Sequence, residues 1–236
     1  AMTSAVSKAK NLVLDLLFPK FCVSCRKEGS FLCEDCAKSL IFLAPSCFVC
    51  GKRNLSGKTC QSCRKKTHIQ RFFAPFSYKD EVIRSAIHLY KYGRVKELGD
   101  VFGGFLASML EFYEFKPRQN MLFVPIPLHK SRKRERGFNQ SEILAEFLGQ
   151  RFHLAVAADA LSRIKNTLPQ IELKDNAGRR ENIKEAFLTH KPEAIKNKTI
   201  ILVDDVSTSG ATLEEAARVL KAAGARSVWA AVVARR

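Results

Sequence analysis

The chain has 236 residues, 46% of them hydrophobic and 27% charged, the balance of a folded globular protein. Its longest apolar runs, Thr199–Val203 and Val228–Ala234, are far too short to cross a bilayer. Forty Lys and Arg against 23 Asp and Glu give a formal net charge of +17, well past the roughly 2–8 units that keep a small domain soluble, so acidic-tail and collagen-like classes are excluded and a polyanionic partner is favoured.

Residues 4–18 read as a short amphipathic helix with Val6, Val13, Leu16 and Leu17 on one side, ended by Pro19. Lys8, Lys10 and Asp15 break the apolar stretch that a secretory signal needs, so a cytoplasmic location is expected. Three parts follow from the composition: this helix within 1–19, a cysteine module over 20–67, and an α/β domain over 68–236.

All eight cysteines fall in the first 63 residues as four C-x-x-C pairs: Cys22/Cys25, Cys33/Cys36, Cys47/Cys50 and Cys60/Cys63. Such a pair turns two thiolates towards one point, half of a tetrahedral zinc site, so four pairs make two closed four-thiolate centres. Closed coordination leaves no open position, which makes the two zincs structural. Sequential pairing, 22/25 with 33/36 and 47/50 with 60/63, needs loops of only seven and nine residues. Interleaved pairing is left open by the spacing. A disulfide framework belongs to an oxidising compartment, and a redox pair has no use for four copies. So small a segment has little core of its own, and metal supplies much of its folding energy. Its surface is basic at Lys52, Arg53, Lys58, Arg64, Lys65 and Lys66. Lys65 and Lys66 are candidates for nucleic-acid contact, with a plain protein-interaction module as the open alternative.

Arg71–Tyr78 has aromatic strand character, and Glu81–Tyr90 has the 3.6-residue period of a helix that Gly93 stops. Val95–Tyr113 reads as a second helix and Met121–Val124 as a short buried strand. Gln140–Phe152 is a helix with Ile143, Leu144, Phe147 and Leu148 inward. Residues 160–164 have strand character, and 165–184 read as a long mobile polar loop. Thr199–Val203 is a β-rich apolar run of the kind found at the centre of a parallel sheet. Thr212–Ala223 is a helix closed by Gly224, and Ser227–Val233 a last strand. This alternation predicts an α/β fold with a doubly wound, mostly parallel sheet, preceded by a small zinc-ribbon module.

The most specific signal is the string Ile200-Ile201-Leu202-Val203-Asp204-Asp205-Val206-Ser207-Thr208-Ser209-Gly210-Ala211-Thr212. A buried strand delivers two carboxylates at its carboxyl end, where ligands bind in such sheets. A loop of small hydroxyl residues then leads into a helix, and its N–H groups can wrap a phosphate, with Thr208, Ser209 and Thr212 as hydroxyl donors. Gly210 lets the backbone come close. The paired carboxylates suit the two hydroxyls of a ribose, with Mg²⁺ nearby; Asp205 or Ser207 as a mere helix cap is the alternative. The run Lys130–Arg136 holds five cations in seven residues, of which Arg132 and Lys133 are further candidates for a nucleic-acid backbone.

This string resembles the phosphoribosyl pyrophosphate (PRPP) loop of type I phosphoribosyltransferases. Val124-Pro125-Ile126-Pro127-Leu128-His129, Arg136-Gly137-Phe138-Asn139-Gln140, the stretch Gly178–Asn182 and the cysteine module resemble, more narrowly, the ComF family of competence proteins. The resemblance implies a type I phosphoribosyltransferase-like fold and a role in DNA uptake and natural transformation. It implies that Asp204 and Asp205 hold the ribose hydroxyls and that Val206, Ser207, Thr208, Ser209, Gly210, Ala211 and Thr212 hold the 5-phosphate. Pro125 and Ile126, where a strained peptide is common in such proteins, would meet the pyrophosphate, with Arg136 as its cation. Arg179 and Arg180 would close over the ligand or stay solvated. PRPP with Mg²⁺, single-stranded DNA and a DNA-uptake helicase are the implied partners. Turnover on an unidentified nitrogen acceptor is the enzyme alternative, because no base-selecting hood is visible in the sequence.

Overall fold

The computed structural model describes residues 19–167 and 176–236. The expected helix over 4–18 and positions 168–175 of the expected loop lie outside the described residues.

After a one-turn helix, α1 (Glu34–Lys38), and a 3₁₀ turn at Gln61–Lys66, the chain enters the sheet with β1 (Ile69–Phe73) and β2 (Phe76–Ser77). The break between them falls at Ala74-Pro75, because Pro75 has no N–H for a ladder. Helix α2 (Glu81–Tyr92) begins at Asp80, whose carboxylate accepts from Ile83 N at 3.0 Å. Then come α3 (Leu98–Phe112), β3 (Met121–Pro125), α4 (Lys130–Arg136) and α5 (Gln140–Phe152). The remainder is β4 (Ala155–Val156), β5 (Ser162–Arg163), α6 (Asn176–Ile183), β6 (Phe187–Leu188), α7 (Pro192–Ile195), β7 (Thr199–Ser207), α8 (Ala211–Ala222) and β8 (Ser227–Arg235).

The main sheet runs β1-β8-β7-β3-β4, with β2 also on β8, and every pairing in it is parallel. Successive side chains of a strand point to opposite faces. Ile201 and Val203 therefore join Tyr90, Phe102, Leu106, Leu144 and Leu148 on one face, while Ile200 and Leu202 join Leu213, Ala216 and Leu220 on the other. Helices α2, α3 and α5 cover the first face and α8 the second. Burying each Leu- or Ile-sized side chain stabilises by about 1.5–3 kcal/mol, which is why β7 and β8 carry near-continuous apolar runs.

The structure corrects or refines four expectations. The strand at 199–203 continues to Ser207, because β8 runs beside it as far as Arg235 and the ladder does not stop at the carboxylates. Residues 162–163 pair antiparallel with 187–188 in a separate ribbon, too short and too polar to join the main sheet. Within the expected loop, Asn176–Ile183 is helical. All peptide bonds of the described residues are trans, and none of residues 125–129 has a positive φ; Ile126 N continues the ladder to Val203 O at 2.9 Å.

Candidate functional site

The two cysteine clusters form from sequential pairs. Cys22, Cys25, Cys33 and Cys36 bring their sulfurs within 4.8 Å of one another, and so do Cys47, Cys50, Cys60 and Cys63. The Sγ separations of 3.6 Å at Cys25–Cys33, Cys50–Cys60 and Cys47–Cys60 match the edge of a tetrahedron with Zn–S bonds of about 2.3 Å. Each knuckle is a tight turn. Arg26 N and Gly51 N donate back to Cys22 O and Cys47 O at 3.0 and 2.9 Å, with Arg26 and Gly51 at positive φ. Burial raises the Cys22 thiol pKa, but backbone N–H groups of Cys33, Cys25 and Ser24 outweigh it and bring it down to about 6. Such N–H donors favour thiolate, the form that binds metal. The donor set and spacing fit zinc in both clusters.

The clusters dock on different surfaces. Cys22, Leu32 and Cys33 belong to the core face under α2 and α3, with Lys20 paired to Glu97 at 3.0 Å. The second cluster sits at the carboxyl end of β8. There Arg235 donates to Ser46 Oγ and Cys47 O at 3.1 Å and to Phe48 O at 3.0 Å. Phe48 packs edge-on against Phe72 and lies over Gly210.

At the carboxyl end of β7, Asp204 Oδ1 accepts from Ser141 Oγ and Asp205 N, both at 2.9 Å. Ser141 is held by Asn139, which caps α5 through its Oδ1 and donates from Nδ2 to Ile126 O at 3.0 Å. Asn139 thereby ties the Pro125–Ile126 segment to the carboxylates. Asp205 is buried and pairs with Lys91 Nζ at 2.8 Å. Burial and the Asp205 charge push Asp204 up to about 7, against Lys91 and its two donors. Burial would lower Lys91, and the Asp205 carboxylate outweighs it and raises it.

Around these carboxylates stand more cations than they can neutralise. Arg136 donates to Gln140 Oε1 at 3.1 Å and lies over the Tyr92 ring at 5.1 Å. Arg163 is brought down to about 10, first by burial and then by Arg132, with Arg136 adding and Asp204 opposing. Arg163 Nε and Gln140 Nε2 are buried without a hydrogen-bond partner among the described residues. Buried donors of this kind cost about 1–3 kcal/mol each unless something accepts from them. The arrangement gathers Lys91, Arg136 and Arg163 around two buried carboxylates.

The loop between β7 and α8 is shorter than expected, 208–210 only, with Val206 and Ser207 in the strand. Gly210 has φ +77°, caps α8 by its backbone, and accepts from Glu214 N at 2.9 Å. Ala211 and Thr212 open α8, so N–H groups of the first turn point out of the carboxyl end of the sheet. Of the basic run, Lys133 pairs with Glu142 at 2.9 Å and Arg132 donates to Thr167 O at 2.6 Å. Lys65 and Lys66 are exposed on the 3₁₀ turn. The side chains of Arg179 and Arg180 lie outside the described ones.

Sequence reasoning missed Lys91, Ser141 and Arg163. Lys91 stands between two tyrosines just before the helix-stopping Gly93, where a helix-end Lys reads as solvated. Ser141 looked like part of the helix start, and Arg163 lay in a weak strand with no motif.

This geometry defines a class: a phosphoribosyltransferase-type α/β sheet behind two four-cysteine clusters. A phosphoribosyl transferase domain model matches residues 141–236, and a double zinc ribbon domain model matches residues 13–64. Competence protein ComFC of Streptococcus pneumoniae is 31% identical over 212 residues, 86% of this chain and 87% of that protein. The chain belongs to the ComF family of competence proteins. DNA utilization protein YhgH of Escherichia coli strain K12 is 28% identical over 223 residues, 90% of this chain and 96% of that one. Among solved structures, the allosteric regulatory enzyme of purine biosynthesis matches at 16% identity and a TM-score of 0.39, over 58% of this chain and 26% of that enzyme.

Proposed function

We propose that this protein binds PRPP with Mg²⁺ at the carboxyl end of β7 and acts in DNA uptake, as the names of its competence relatives suggest. The observation that carries the reading is the surplus of cations (Lys91, Arg136 and Arg163) gathered around Asp204 and Asp205. A site with that charge pattern suits a ligand that is anionic at one end and carries vicinal hydroxyls at the other. Asp204 and Asp205 accept from the ribose hydroxyls. Backbone N–H groups of 208–212 and the loop hydroxyls take the 5-phosphate. Arg136, with the Pro125–Ile126 segment, faces the pyrophosphate, and Mg²⁺ supplies further neutralisation there when bound. The domain division is 1–19, 20–67 and 68–236, and the two zincs are structural.

Among the described residues no helix is long and apolar enough to cross a membrane. We place the protein in the cytoplasm, beside single-stranded DNA and a DNA-uptake helicase. Lys65 and Lys66 are the stronger DNA candidates, because Arg132 and Lys133 are committed to Thr167 and Glu142. Phosphate contacts release counterions, so log affinity for a single strand falls with log salt by about 0.7 per contact. Charge reversal at Lys65 and Lys66 flattens that slope in fluorescence anisotropy. An unchanged slope moves the DNA contact elsewhere.

The second reading is an active transferase. The orphaned donors of Gln140 and Arg163 favour it, because such donors, fixed in advance, stabilise charge that develops on a departing pyrophosphate. Titrating PRPP and single-stranded DNA separately and together tests the binding reading. Reciprocal changes in affinity support linked sites, and absence of PRPP binding overturns both readings.

A further inference from the structure

At the amino end of β1 and β8, a cleft of about 480 Å³ opens between residues 58–68, around the 3₁₀ turn, and the strand edge. Ile69 begins β1 and Ser227 begins β8. Ser227 pairs with Thr199, and Asp205 lies six residues further along β7. At about 3.3 Å per residue the cleft is roughly 20 Å from the carboxylates, so it is a separate place in the molecule.

The charged side chains that line it are cations, with the Glu214 carboxylate behind them, taken up by Thr67 and by His68 N at 2.9 Å. Lys58, Arg64, Arg71 and Lys221 line it, and no Asp or Glu does. Lys58 and Thr59 come from the loop between Cys50 and Cys60. They are stitched to the sheet edge by Thr59 N to Gln70 O at 2.9 Å and by Thr59 Oγ1 to Ile69 O at 2.6 Å. Arg71 lies over the Trp229 indole at 4.4 Å. Burial and the like charge of Arg118 lower the Arg71 guanidinium from its usual range, a strain that an anion relieves. Behind the cations are an aromatic and an amide. Trp229 Nε1 donates to Ser227 Oγ, which donates to Gln70 Oε1 at 2.7 Å. This chain uses the Gln70 acceptor and leaves the amide nitrogen as its donor end. Lys221 is already held by Ala225 O and Arg226 O at 2.9 Å, so Lys58, Arg64 and Arg71 are the cations that answer a ligand.

We propose that this cleft binds a nucleoside phosphate, its phosphate on Lys58, Arg64 and Arg71 and its base against the Trp229–Gln70 wall. The volume lies within the range of small-ligand pockets, about 300–1,000 Å³, and is more than a bare phosphate needs. The same chemistry is offered by a free nucleotide and by one residue of a strand. The site is independent of the PRPP reading.

Trp229 is the one tryptophan of the chain and lines this cleft, so binding here is expected to change its fluorescence. The experiment titrates the full-length, zinc-loaded protein with adenosine monophosphate, a short oligothymidylate or inorganic pyrophosphate. Saturable quenching by adenosine monophosphate or the oligothymidylate is expected, at least tenfold weaker in Arg64→Glu and unchanged in Asp205→Ala. Tighter binding of the mononucleotide assigns the site to a free nucleotide, and tighter binding of the oligomer to a strand. A response of equal affinity to pyrophosphate overturns the nucleoside assignment. No response, or one abolished by Asp205→Ala and untouched by Arg64→Glu, overturns the site. Because Arg64 lies outside the PRPP site, PRPP binding by calorimetry stays intact in Arg64→Glu, which separates failure of this proposal from failure of the other.

Discussion

Asp204 and Asp205 are adjacent in sequence and differ in kind. Asp205 is neutralised by Lys91 at 2.8 Å, while Asp204 is pushed up to about 7 by burial and by its neighbour. The native state therefore holds the Asp204 proton more tightly than the unfolded chain, where an aspartate titrates near 3.9. In the ligand-free protein this group favours folding most below about pH 4, and the advantage is lost as pH rises towards about 7. Asp204→Asn keeps an acceptor for Ser141 and has no charge to lose. It is expected to raise ligand-free stability by on the order of 1 kcal/mol at neutral pH and to flatten the profile over that window. Thermal unfolding across pH measures both, and a steeper profile in the variant contradicts the assignment.

Elements decide how close the phosphate loop can come to its neighbours. Gly210 has φ +77°, and a Cβ there would lie 2.6 Å from Phe48 Cζ in the second cysteine knuckle. Gly210→Ala meets both left-handed strain, about 1–2 kcal/mol, and that ring. A loss of about 2 kcal/mol is expected in denaturant unfolding, together with weaker ligand binding. Gly104→Ala is the control: nothing lies within 4 Å of its Cβ position, and removing a helical glycine gains about 0.5–1 kcal/mol. Helix α5 was legible to the residue from its apolar period and length, and Asn139 caps it in the structure. The β7 string was legible because no other element joins two carboxylates to a small-residue turn. The end of β7 was not, since its extension to Ser207 depends on pairing with β8, which lies beyond helix α8. Lys91 and Arg163 were invisible for the same reason: their partners are set by packing, and neither carries a local motif.

Across the whole molecule, the two cysteine clusters bind the sheet at opposite places, one under α2 and α3 and the other on the phosphate loop through Arg235 and Phe48. Metal analysis is expected to give two zincs per chain. Chelation should expose the amides of 20–67 to hydrogen exchange first, because the sheet has a core of its own and the cysteine segment does not. It should then loosen 208–212, which loses Phe48 as a wall. One zinc per chain, or disulfides in place of thiolates, contradicts this.

The central claim is that Asp204, Asp205 and the β7–α8 turn form a PRPP site. Calorimetric titration of PRPP with Mg²⁺ into the wild-type protein and into folded Asp205→Ala tests it most directly. Losing charge-assisted hydrogen bonds worth roughly 1.5–3 kcal/mol each weakens affinity tenfold or more. The account predicts saturable, Mg²⁺-dependent heats in the wild type and that loss in the variant. Equal affinity in the two proteins, or no binding in the wild type, would contradict it.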